Sequence, residues 1–524
     1  MRERSMLPLR DLKSRLIWLV LAAVTVPAFG QSPADGDRDS ASQSSSSQDL
    51  ATAIQDLRAQ VQELRATVTD MKSEAAEYRA QSAELRKELE KMRANAAAAT
   101  QGTESQSPEA TLAATAVSQK LASLNETTQL LQSEIRTQYQ TKIESASKYR
   151  LRLSGLVLLN LFSNRGYVDN LDFPSYAAAS NLYGTSQSFG ATLRQSEIGL
   201  EVFGPEFAGA KTSGEIQFDF GGGFPTGALD GVNTGLVRLR TASMRLDWSH
   251  TSIVAGQDSL FISPQSPTSF ASLVVPSLGY SGNLWAWTPQ LRIEHKFDLS
   301  EGQSLIVQGG ILDNLTGEPG YGSHRQLQAG ESSGLPAYAV RTAWNGNLNG
   351  RPLTLGASAY YSRQNWGFDW NVDGWAAAAD WRIPLASRVE LSGEFYRGRA
   401  VGGIGGGIGQ SVLFSGNPFD PTTEFRALNS AGGWSQLKFL ASPKLEFNGA
   451  IGIDNPFSAD IHAFASPVGY YPTVLAANRS AMANIIYRPR SDLLFSGEYR
   501  HLKTSELLGI NNADQVNLMM GVLF

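Results

Sequence analysis

The residues of this chain best suited to chemistry are charges set at alternate positions, not a clustered catalytic set. Through the C-terminal two-thirds, bases recur beside apolar residues: Arg152, Arg194, Arg238, Arg240, Arg245, Arg292, Lys296, Arg341, Arg382, Arg397, Lys438 and Arg500. Acids are assigned to the same side, among them Glu197, Glu201, Glu215, Asp219, Glu294, Asp380, Glu394, Glu446 and Glu498. Gathered around a confined space, such groups form rings of fixed charge that select ions, and the planar arginine fork suits a carboxylate or phosphate. The small excess of bases predicts a modest preference for anions. The same charges could instead pair across strands and stiffen a wall.

Other chemistry finds little support. His250, His295, His324, His462 and His501 are scattered without HExxH or another recognised ligand spacing, so no metal and no cofactor is expected. Gly402–Gly409 lacks GxGxxG or Walker A spacing and reads as a mobile surface loop. The chain has no cysteine, which removes disulfides, thiolate sites and cysteine nucleophiles. Without a local catalytic motif, the expectation is a protein that is not an enzyme. The formal charge is −5, and residues 1–30 carry five bases against two acids. The remainder is therefore acidic and has no basic run, which argues against nucleic acid as a partner.

The elements that must hold these charges are strands. Tyr149, Leu151, Leu153, Gly155, Val157, Leu159 and Leu161 form one face, opposite Arg150, Arg152, Ser154 and Asn160. The alternation returns in 211–220 and 290–297, and again at the end, where Val516, Leu518, Met520, Val522 and Phe524 share a face. About sixteen such strands run from 149–162 to 514–524. Every second connection is short, and those between include 163–190, 258–283, 314–336, 399–431 and 454–477. This pattern predicts an all-β, antiparallel transmembrane barrel over 149–524. Strand 236–248 changes its apolar face near Thr241, which a bulge would explain. Trp344, Trp375, Trp381, Tyr487 and Tyr499 suit aromatic girdles. A secreted sandwich would need polar outward positions, and a propeller would need a repeat of ~45 residues. Neither is present.

The N-terminal part is organised differently. Residues 1–30 read as a signal peptide, with a basic start, an apolar run from Leu16 to Val26, and small residues before Gln31. Residues 31–49 are a flexible Ser-rich linker. Over 50–95 the heptads of a coiled coil appear, with Ile54, Val61, Val68 and Leu89 at a and Leu50, Leu57, Leu64, Met71 and Leu85 at d. At ~1.5 Å per residue this helix would be ~65 Å long, which favours self-association. Residues 96–148 form a linker and a second helix.

A signal peptide, a periplasmic coiled coil and a barrel ending on Phe524 resemble the trimeric outer-membrane porins with N-terminal coiled coils, both the DcaP-like and the phosphate-selective porin O/P groups. The local likeness lies in Ser252–Gln257 and in Trp287–Arg292. The resemblance implies passive diffusion of small hydrophilic solutes through a homotrimer in outer-membrane lipid. It also implies that Phe524 is read by the barrel-assembly machinery, and that loop 258–283 folds inward with Asp258, Phe261 and Phe270 as constriction candidates. That loop departs from the strongly acidic one of cation-preferring porins. A different class of function stays open, in which the barrel anchors a coiled coil that tethers the membrane to peptidoglycan or a periplasmic partner.

Overall fold

The structure, a computed structural model, describes residues 142–143, 150–180, 185–223, 235–318, 325–348, 350–470 and 473–524. The expected signal peptide (1–30), linker (31–49), coiled coil (50–95) and nearly all of the second helical region (96–148) lie outside the described residues.

Among the described residues, sixteen strands close a single antiparallel barrel. In chain order they are β1 (Arg150–Arg165), β2 in two pieces (Gln187–Thr192 and Glu197–Phe203), β3 (Lys211–Asp219), β4 (Arg238–Asp247) and β5 (Thr251–Ser259). Then follow β6 (Trp287–Ser300), β7 (Gln303–Leu312), β8 (Ala337–Leu348), β9 (Arg351–Asn365), β10 (Asn371–Ala386) and β11 (Val389–Arg399). The last five are β12 (Asn429–Ser442), β13 (Leu445–Pro456), β14 (Leu475–Arg490), β15 (Leu493–Glu506) and β16 (Ile510–Leu523). Each strand pairs with the next. β16 returns to β1, with Leu156 opposite Leu523 and Arg165 opposite Asp514. A two-residue strand, Lys142–Ile143, also pairs with Leu151 and Arg152.

Closure uses Phe524. Phe524 N–H donates to Gly155 O at 3.0 Å, and Gly155 N–H donates to Phe524 O at 2.9 Å. A Cβ at Gly155 would lie 2.5 Å from Phe524 Cζ, so the bare glycine makes room for the ring.

Pleating sets the two faces. On β1, Val157, Leu159 and Leu161 are exposed on the outside, whereas Leu158, Asn160, Phe162 and Asn164 are buried on the inside. The same alternation places Ile451 and Ile453 of β13, and Val516, Leu518 and Met520 of β16, outward. One rim carries only short turns, at 204–210, 248–250, 301–302, 349–350, 387–388, 443–444 and 491–492. The other carries the long connections, although 366–370 and 507–509 are short there too.

The irregularity expected near Thr241 is a bulge. Gln217 pairs with Thr241 but Phe218 pairs with Leu239, which leaves Arg240 as the extra residue. β2 is interrupted for a different reason. Residues 193–196 leave the ladder, and the Ser196 hydroxyl takes over by accepting from Leu158 N–H at 3.0 Å. Arg194 and Gln195 are thereby turned inward and buried.

The reading of Gly402–Gly409 as a mobile surface loop is corrected. The segment forms two short 3-10 turns, Gly402–Ile404 and Gly407–Gly409, almost entirely buried within the barrel. Ile404 O accepts from Trp285 N–H at 3.0 Å, and Tyr396 Oη accepts from Gly407 N–H at 2.9 Å. The glycines serve close packing: a Cβ at Gly403 would lie 2.1 Å from Leu315 O.

Candidate functional site: a loop-lined lumen

The connection 260–286 enters the barrel and lies along its inner wall. From Ser259 to Ala286 the sequence contains no charged residue, so hydroxyls, amides and backbone must hold it. The Ser263 hydroxyl donates to Glu394 Oε2 at 2.6 Å, and the Ser269 hydroxyl donates to Glu498 Oε2 at 2.5 Å. Gln265 donates to Asp380 at 3.2 Å, Ser358 donates to Ile262 O at 2.9 Å, and Thr268 N–H donates to Gln436 at 2.6 Å. Asn484 donates to Thr268 O at 2.7 Å. These partners lie on β9 through β15, so the loop follows nearly half of the wall.

At its far end, one residue in the interruption of β2 makes three bonds to it. Gln195 Nε2 donates to Ala271 O at 2.8 Å, while its Oε1 accepts from Leu273 N–H at 2.7 Å and Val274 N–H at 2.8 Å. Arg238 adds a bond to Val274 O at 2.6 Å. Apolar packing supports the start of the loop, where Leu260, Phe261, Ile262 and Leu284 bury against Ala337, Ala339, Tyr360 and Ala376. Small alanines on the inner face give the loop space that bulkier residues would fill.

The first long connection also turns inward. Leu171 O accepts from Asn164 at 2.8 Å and Gln515 at 3.1 Å, Pro174 O accepts from Arg500 at 3.2 Å, and Ser175 O accepts from Asn478 at 2.9 Å. Wall amides thus receive a second loop beside the first.

The charges expected on the inner face are mostly brought together in ion pairs. Arg152 meets Glu201 at 3.1 Å, and Arg194 meets Asp172 at 3.0 Å. Arg238 meets Asp219 at 2.6 Å, and the bulged Arg240 meets Glu197 and lies 3.7 Å from Asp219. Glu294 joins two bases, Arg292 at 2.7 Å and Arg245 at 3.1 Å, and Arg292 continues to Asp258 at 2.7 Å. Lys296 meets Asp298 at 3.0 Å, Arg341 meets Asp380 at 2.8 Å, and Arg500 meets Glu498 at 2.7 Å. Arg382 reaches Glu390 only at 3.8 Å. Lys438 faces inward beside Glu390 and Asn448 in register, without an ion pair among the described residues. Such a wall is charged yet largely neutralised, and breaking any buried pair strands a charge.

Arg397 is a correction. It shares strand parity with the exposed Phe395, and its guanidinium lies 4.2 Å from the Phe457 ring and 5.4 Å from Trp375. It therefore belongs to the outer face. Glu394, three residues earlier, faces inward and is buried. Of the loop candidates, Asp258 points inward at the end of β5 toward Arg292. Phe261 is packed away beneath the same arginine at 5.8 Å. Phe270 packs beside Leu156, Leu158 and Met519 with Arg488 5.5 Å from its ring. The exposed residues of the loop are Pro264 and Ser266 instead.

Sequence reasoning missed Gln195, Ser263, Ser269, Asn478 and Asn484. Neutral amides and hydroxyls carry no sign of charge or period that would single them out before the loop is seen against them.

Among solved structures, the outer membrane channel DcaP of Acinetobacter baumannii matches with a TM-score of 0.53 and 17% identity, over 73% of this chain and 100% of that one. What the two share is the fold. The resemblance drawn from the sequence holds at that level. The anion-selective porin from Comamonas acidovorans covers 72% of this chain and 100% of its own at 10% identity, with a TM-score of 0.44. OprB of Pseudomonas putida covers 71% and 94% at 11% identity, also at 0.44. No family model matches the sequence, and no curated protein matches it.

Proposed function

We propose that this chain is an outer-membrane channel through which small hydrophilic solutes diffuse passively, with loop 260–286 as its constriction. The observation that carries the reading is a charge-free loop held across a charged inner wall, inside a barrel whose outer face is apolar. A barrel built only as an anchor has no need of a polar interior furnished in this way. Channel walls and inserted loops of this kind set which solutes enter.

The selectivity we propose is a modest preference for anions such as carboxylates or phosphate. The bases that bear on it are Lys438, without an ion-pair partner among the described residues, and Arg382, with only a distant one. Of the inward acids, Glu215 and Glu394 are likewise without an ion pair among the described residues, but Glu394 is buried beneath the Ser263 hydroxyl. The neutral loop adds no acid to oppose the two bases. The working unit is a homotrimer joined through the coiled coil of residues 50–95, and Phe524 serves as the signal for barrel assembly.

Planar-bilayer recording tests the channel and its selectivity. Discrete conductance steps and a reversal potential of anionic sign in a salt gradient are the expected results. A cation-selective sign would remove the anion preference. A folded, inserted but silent protein would favour the tethering role. Deleting 50–95 should lower the native mass, and an unchanged mass would count against the coil as the joint.

A further inference from the structure

Around the long-connection rim, three of four neighbouring strands present bases on the outer face, and the fourth presents Asp514. On β14 and β15, Arg479 stands directly opposite Lys503, and both are exposed. His501 stands opposite Asp514 on β16, which in turn stands opposite Arg165 on β1. Asp514 is occupied, 2.8 Å from His501 Nδ1 and accepting from Tyr499 Oη at 2.7 Å. Among the described residues, neither Arg479 nor Lys503 forms an ion pair.

Like charges placed directly across a strand pair repel and are ordinarily destabilising. Here the repulsion is set on an otherwise apolar surface. Below Arg479, the outward positions of β14 are Ala481, Ala483, Ile485 and Tyr487. Below Lys503, β15 presents Tyr499, Gly497 and Phe495 beyond His501. The eight steps from Arg479 to Tyr487 span ~26 Å of strand, or about 20 Å of height at a tilt of ~40°. That puts the two bases at the upper edge of an apolar band some ~25 Å tall, where hydrocarbon gives way to headgroups.

We infer that Arg479 and Lys503, flanked by Arg165, bind a phosphate of an outer-leaflet glycolipid. This rests on the reading of the chain as an outer-membrane barrel. One phosphate placed between the two bases turns their repulsion into two charge-assisted contacts, with the guanidinium fork on one side and the ammonium on the other. Lipid is the source because the pair faces away from the lumen, at headgroup height. A freely diffusing anion would gain nothing from the apolar surface below.

The test uses full-length protein reconstituted in detergent. Bis-phosphorylated lipid A, dephosphorylated lipid A and inorganic phosphate are each titrated and followed by native mass spectrometry. Phosphorylated lipid A should bind at least tenfold more tightly than the dephosphorylated form, and millimolar phosphate should not displace it. R479Q/K503Q should lose that difference, whereas R397Q, on the same face but elsewhere, should keep it. Equal binding of the two lipids by the wild type would overturn the inference, as would free phosphate competing equally well. A double variant with altered oligomeric mass would assign the patch to a contact between protomers. If the wild type fails to insert into vesicles at all, it is the membrane reading that falls.

Discussion

Replacing Gln195 by alanine removes three hydrogen bonds at once from the far end of loop 260–286. Gln195 is fully buried, as is Ala271, and Val274 is nearly so. The carbonyl of Ala271 and the two N–H groups would lose their partner where water is scarce. Each such bond is worth about 1 kcal/mol net, and more when its partner is stranded, so a loss of at least about 3 kcal/mol in loop docking is expected. By the relation of about 1.4 kcal/mol per tenfold, the released form becomes roughly a hundredfold more populated. The barrel ladders are untouched, so global unfolding should shift far less than the loop does. Limited proteolysis of folded protein reads the released population directly when reclosing outpaces cleavage. Cleavage within 260–286 should therefore accelerate by about two orders of magnitude, with noisier single-channel currents. Cleavage rates within twofold of wild type, with an unchanged current, would refute the role given to Gln195.

The buried Arg341–Asp380 pair is bidentate, at 3.0 and 2.8 Å, and Arg341→Ala should cost about 3–5 kcal/mol by leaving Asp380 uncompensated. A double-mutant cycle with Asp380→Ala, read by urea titration of the heat-modifiable band, should show strong coupling; additivity within about 0.5 kcal/mol would contradict it. Lys438→Glu should move the reversal potential toward cations, whereas Arg397→Gln, on the outer face, should leave it unchanged. Burial alone would raise Asp460, but hydrogen bonds from the Asn429 side chain and N–H and from Arg426 outweigh it and hold its carboxyl below the ordinary value. A depressed acid stabilises the fold above its unfolded pKa of about 3.9 and loses that contribution as pH falls through the lower folded value. Tryptophan fluorescence of the Trp366–Trp370 cluster should therefore change below about pH 4 in the wild type. The change should be smaller in Asp460→Asn, and identical curves would refute the link.

Much of the barrel was legible because pleating converts an apolar exterior into a period of two. β1 and β16 announced themselves in this way, and the broken phase at Thr241 located the bulge that turns Arg240 inward. Arg397 was misplaced although parity alone could have settled it, since residues 394 and 397 of one strand cannot share a face. The interior was far less legible. Loop 260–286 is uncharged and aperiodic, and its burial depends on amides and small residues contributed by strands far away in sequence. Gly402–Gly409 misled for the same reason: bare backbone serves flexibility in one setting and close contact in another, and only the neighbours decide which.

The seam between Gly155 and Phe524 has a consequence for the order of events in biogenesis. Its two partners lie roughly 370 residues apart, a loop closure costing about 5 kcal/mol in chain entropy, recovered only when the ladder between the first and last strands forms. Until then both strands are open edges, and unpaired backbone groups are not tolerated in hydrocarbon. If the barrel sits in an outer membrane as proposed, a growing sheet could not be released into lipid strand by strand. Both edges would have to stay covered until the closing strand is in place, so the pairing of Phe524 with Gly155 decides when the first strand can be let go.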